Sequence, residues 1–245
     1  MYNETTVIHR HVGDNMEIEK IREYAKKIYE LLGEDKPFVG VKLAKSKEEI
    51  PEGYSEIESE KRHCEMVQLA RLERKKFYAT LNKHLCKGGA YAIGLLKNPP
   101  EPLATGKLYV KLGNFKDENA ARKTVDAIPK VKDEVYATVY APLDDIDFIP
   151  DSIIAIVKPK KALRLVQASL YRDGGRFSAD FSGIQSVCAD AVAAVKVRGV
   201  SNMTLGCNGS RKYAGIKDEE LVFAFPVDEL EKIVEALEHF KEVWG

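Results

Sequence analysis

The chain has 245 residues, 44% apolar and 31% charged, with 38 basic and 38 acidic residues in balance. That composition excludes a disordered or collagen-like chain, and zero net charge leaves no basic footprint for nucleic acid. No apolar run reaches the roughly 18 residues of a membrane span, and no apolar signal core opens the chain. A cytoplasmic protein of one large domain is expected, and 27 lysines against 11 arginines with three glutamines suggest heat adaptation.

Residues 1–15 show no period and read as a flexible N-terminal segment, with His9 and His11 solvated. Met16 opens the first clear helix and is an alternative start. Ile18, Ile21, Ala25, Ile28, Leu31 and Leu32 form one apolar stripe over 16–32, ended by Gly33. Residues 38–43 read as a buried strand. A polar loop through Pro51 and Gly53 leads to a helix over 62–74, with Cys64 in its first turn. A strand at 77–81 precedes Cys86 and the glycine-rich run KGGAYAIGLL. Segment 97–117 is rich in proline and glycine and reads as a loop holding a short strand at 108–112. A helix over 118–128, strands at 135–140 and 153–157, and a helix over 160–171 follow. Asp173-Gly174-Gly175 is a tight turn. The alanine-rich stretch 182–197 predicts a helix with Ser182 as its N-cap and Cys188 in its apolar middle. A strand at 202–206 runs into Cys207, then a glycine-containing loop. A strand at 221–225 and an amphipathic helix over 227–243 close the chain.

The two halves resemble each other. CEMVQLA leads through a strand to CKGGAYAIG, and CADAVAA leads through a strand to CNGSRKYAG. Each half also has a strand that stops at proline before an apolar residue and two acids (YATVYAPLDD and LVFAFPVDE). The expected fold is α/β (α+β mixed): a mixed sheet with surrounding helices, in a single domain over 16–245. It divides into two pseudo-repeats at about 16–150 and 151–245. Such a duplication brings one cysteine pair from each half toward a common point.

Three chemistries compete for Cys64, Cys86, Cys188 and Cys207. A [4Fe–4S] iron–sulfur cluster takes four thiolates, and glycines and basic residues beside Cys86 and Cys207 suit its negative charge. Lys87, Arg211 and Lys212 are the candidate neighbouring cations. Structural zinc also accepts four cysteines, but the close-spaced knuckles of zinc sites are missing. His63 and His84 read as surface or capping residues rather than ligands. Inert buried thiols are the third reading. The residues by themselves leave all three open. The run LGCNGSRKYAG could also cradle an anion, and Asp144, Asp145 and Asp147 read as a solvated acidic turn. No GxGxxG, GxxxxGK[ST], HExxH or GxSxG motif occurs, so no reaction is assigned.

RHCEMVQLA, LCKGGAYAIGLL, SVCADAVA and LGCNGSRKYAG resemble the signatures of an uncharacterised archaeal and bacterial family known as ArCR. The resemblance runs from about Phe38 to the C-terminus and includes PFVGVKL, SIIAIVKP and FAFPVDELEKIVEAL. It implies that Cys64, Cys86, Cys188 and Cys207 match the family's four recurring cysteines, in proteins found mainly in anaerobes and methanogens. With that, a [4Fe–4S] protein with a redox or electron-transfer role leads. The expected partner is a redox protein, with no nucleic acid or membrane and with room for an oligomer. The alternatives are a binding protein for an anionic ligand or metal-bearing cofactor, and a structural protein with inert thiols.

Overall fold

The computed structural model describes residues 17–244. The expectations for residues 1–15 and Met16 lie outside them. In chain order, α1 (Ile18–Leu32) precedes β1 (Val39–Ala44) and a short β2 (Ser55–Glu56), then α2 (His63–Leu72), β3 (Phe77–Thr80) and α3 (Lys87–Ala92). Three helices, α4 (Glu101–Ala104), α5 (Lys107–Lys111) and α6 (Glu118–Ala127), lead to β4 (Ala137–Pro142). The second half runs through β5 (Ser152–Val157), α7 (Pro159–Leu170), a π-helix (Ser186–Ala193), α8 (Ala194–Arg198), β6 (Asn202–Thr204), α9 (Asn208–Ala214), β7 (Leu221–Phe225) and α10 (Leu230–Trp244).

The seven strands form one mixed sheet in the order β2-β3-β4-β1-β5-β7-β6. Only β2 and β3 are parallel among these pairs. Read outward from the antiparallel β1–β5 pair, one side is β1-β4-β3 and the other is β5-β7-β6. Each half thus contributes three strands in corresponding order, all antiparallel. The helices α1 and α7, the strand β2 and the α4–α6 segment break the correspondence.

Strands β4, β5 and β7 are buried along their whole length, because helices cover both faces. Alternate side chains go to opposite layers. Ile153, Ala155 and Val157 join Ile21, Leu165, Leu230 and Leu237 on one face. Ile154 and Ile156 join Met66, Val67, Ala191 and Val192 on the other. That second layer includes Cys64 and Cys188.

Three expectations change. Residues 108–112 are not a strand: Gly106 (φ +84°) turns the chain into α5, where Tyr109 packs inward. The loop after Cys207 is α9, capped by the cysteine itself and closed by Gly215 at φ +65°. The alanine-rich helix begins at Ser186 rather than Ser182, because Gln185 adopts a left-handed backbone (φ 52°, ψ 38°). Cys188 therefore lies in the first turn of a helix, not its middle.

Candidate functional site

Each cysteine sits at a helix start. Cys64 is the second residue of α2, and Cys188 is the third of the π-helix. Cys86 and Cys207 are the N-caps of α3 and α9. The capping bonds match: Gly89 N–H donates to Cys86 Sγ at 3.4 Å, and Ser210 N–H donates to Cys207 Sγ at 3.4 Å. Ser210 Oγ in turn accepts from Cys207 N–H at 2.9 Å. A sulfur in the cap position takes the place of the usual cap oxygen. No disulfide joins the four thiols.

All four line one cavity of about 530 Å³. The point where a β-carbon on Gly89 would lie is 3.3 Å from Cys188 Sγ and 3.7 Å from Cys86 Sγ. Those two sulfurs are therefore within 7.0 Å of each other, the sum of the two distances. Cys64 and Cys188 are buried, while Cys86 and Cys207 are half-buried, as the flanking residues of the sequence suggest. Among the described residues, no three of His, Cys, Asp and Glu close around a single metal ion.

The thiols are electrostatically unequal. Burial, with Cys207 and Cys86 nearby, pushes the Cys64 thiol up to about 12. Burial also holds Cys188 well above the usual thiol range, reinforced by Cys86, Cys207 and Cys64; its S–H donates to Gln185 O at 3.3 Å. Cys207 goes the other way. Burial opposes its ionisation, but the Ser186 hydroxyl and the Ser210 and Ser186 backbone outweigh it and lower its pKa. Ser186 Oγ is buried without a well-formed hydrogen bond, close enough to the Cys207 sulfur to favour its ionised form. Metal-free, Cys207 ionises more readily than Cys64 and Cys188.

Of the expected cations, Lys87 lines the cavity, but Arg211 and Lys212 do not. The Arg211 guanidinium donates to the carbonyls of Leu205, Ile216, Lys217 and Glu220 and so clamps the two ends of α9. Lys212 lies over the Tyr213 ring at 5.4 Å. Arg62 lines the cavity instead, with its guanidinium 3.6 Å from the Tyr213 ring centroid. The histidines are not surface residues. His63 and His84 are 2% and 1% exposed. His63 Nδ1 pairs with Tyr140 Oη at 2.7 Å, and His84 Nε2 with Thr138 Oγ1 at 3.0 Å. The acidic turn is ion-paired: Asp144 with Arg74, Asp145 with Lys76, and Asp147 with Lys76 and Arg22.

Sequence reasoning missed Gln185, Tyr109 and Ser186. Cys86-x-x-Gly89 and Cys207-x-x-Ser210 have the spacing of a cap and its bonded amide, but cysteine is not among the preferred caps. Nothing in the sequence signals the left-handed backbone at Gln185, which only it and Arg74 share among the described non-glycine residues.

A family model described as uncharacterised ArCR matches residues 27–236. An uncharacterised protein from Methanocaldococcus jannaschii is 74% identical over 229 residues, which cover 94% of this chain and 98% of that protein. No solved structure matches the chain.

Proposed function

The chain belongs to the uncharacterised ArCR family, and on the meeting of its four thiols at one cavity we propose that it is an iron–sulfur protein with a redox or electron-transfer role. Cys64, Cys86, Cys188 and Cys207 would hold a [4Fe–4S] cluster. Bound there, such a cluster supplies one-electron chemistry. Several features of the chain fit that group. The donor set is four thiols, one from the start of each of four helices. Two of the sulfurs already accept backbone N–H bonds, which temper thiolate charge. The Ser186 hydroxyl favours the thiolate of Cys207, and Arg62 and Lys87 place positive charge on the cavity wall. Buried thiols as reluctant to ionise as Cys64 and Cys188 need a cation to become thiolates together. A single zinc draws its sulfurs to about 4 Å of one another, a tighter ring than a cuboidal cluster requires.

Purification under strictly anaerobic conditions tests the proposal. A brown protein with broad absorption near 400 nm, roughly four iron and four acid-labile sulfide per chain, supports it. Colourless protein that takes up neither after anaerobic reconstitution refutes it.

A further inference from the structure

The cavity extends past the sulfurs, and the part without thiols has its own chemistry. Pro100, Pro102, Leu103, Leu108 and Leu112 line it. Leu108 on α5 and Leu112 at its C-cap are four residues apart and so share a face. Against this apolar wall stands one polar pair, Gln185 and Tyr109, joined by a 2.6 Å bond from Gln185 Nε2 to Tyr109 Oη. Gln185 is only 7% exposed, and its Oε1 has no hydrogen-bond partner. A buried carbonyl oxygen left unpaired is destabilising, and so is the left-handed backbone that presents it. Both penalties fall on one residue, in the first link of a π-helix, a feature common at functional sites.

We infer that this half of the cavity is a binding site for a small, mostly apolar organic molecule carrying a carboxamide or lactam group. A carboxamide and a phenol joined by one hydrogen bond still offer a ligand both donors and an acceptor. Here the acceptor is Gln185 Oε1 and the donors are the Tyr109 hydroxyl and the second Gln185 N–H; exchanging the amide's oxygen and nitrogen still leaves at least one donor and one acceptor. A ligand amide supplies the matching N–H and C=O together, while its apolar body lies on the proline and leucine wall. The volume, about 530 Å³ for the whole cavity, is within the range of small-molecule sites. The site adjoins the thiols by one residue: a β-carbon at Gly88 would lie 3.2 Å from Gln185 Nε2 and from Tyr109 Oη, whereas one at Gly89 meets Cys188 Sγ. The inference stands whether or not the thiols hold iron.

Benzamide and acetophenone separate the alternatives, because a methyl replaces the NH2 while the ring and carbonyl stay. Calorimetric titration of the anaerobically purified protein is expected to show saturable benzamide binding, about tenfold tighter than acetophenone. Tyr109→Phe removes only a hydroxyl, and Gln185→Leu removes the amide; each is expected to abolish that preference. Circular dichroism and iron content recorded for every sample read fold and metal separately from ligand. Equal affinity for the two probes, no saturable binding of either, or a preference unchanged in a folded Tyr109→Phe protein overturns the inference.

Discussion

Gly89→Ala separates what the site needs from what the fold needs. Gly89 is the third residue of α3 and has an ordinary helical backbone, so alanine gains about 1 kcal/mol of helix propensity. The new methyl would lie 3.3 Å from Cys188 Sγ, 3.4 Å from Cys188 Cβ and 3.7 Å from Cys86 Sγ. The first contacts are tighter than normal packing, and overfilling of this kind costs about 1–3 kcal/mol. The two effects largely offset, so metal-free protein should lose no more than about 2 kcal/mol in a denaturant titration. The displacement of Cys188 is not offset. Its sulfur is held by a bond to Gln185 O and gives only by moving out of line with the other three. Anaerobically reconstituted Gly89→Ala protein is expected to hold markedly less iron and sulfide than the parent. Gly88→Ala carries the same propensity gain, but its methyl presses on Gln185 and Tyr109, so it should keep its iron. Full iron loading in a folded Gly89→Ala protein, or equal loss in both variants, refutes the reasoning.

In metal-free protein near neutral pH, iodoacetamide should label Cys207 ahead of Cys64 and Cys188, because ease of ionisation and access both favour Cys207 over those two; mass mapping that finds Cys188 labelled before Cys207 contradicts this. Burial lowers His63 to about 3, with His84 adding to it, and burial with Lys87 lowers His84 to about 4. Because both folded values lie below the ordinary 6.5, their stabilisation is complete above that pH and is lost as pH falls through 4 and 3. Denaturant midpoints from pH 7 downward should decline accordingly, with a shallower slope in His84→Asn, and an identical slope in the variant rejects the assignment. Arg211→Ala removes the clamp on α9 and should cost about 1–3 kcal/mol; an unchanged melting temperature would show the clamp to be idle.

The central strands were legible because they are buried on both faces, so 153–157 and 221–225 read as continuous apolar runs with clear ends. Around the central β1–β5 pair, the sheet's two sides run β1-β4-β3 and β5-β7-β6. Other features were hidden for physical reasons. Residues 107–111 have strand-like composition, but the turn at Gly106 and the burial of Tyr109 override propensity. The α9 helix went unseen because its cap is a sulfur, which no capping preference anticipates. His63 and His84 look polar in sequence, and only tertiary partners, Tyr140 and Thr138, make their burial tolerable. Arg211 is next to the cysteine segment in sequence, yet its two terminal guanidinium nitrogens are drawn to carbonyls at the ends of α9.

The central claim is that one iron–sulfur cluster sits between Cys64, Cys86, Cys188 and Cys207. Crystals of anaerobically reconstituted protein, with diffraction collected above and below the iron absorption edge, test it most directly. The account predicts a single anomalous peak in the cavity, bounded by the four sulfurs. Iron density elsewhere in the molecule, a zinc ion held by the same sulfurs, or an iron-free cavity after reconstitution would contradict it.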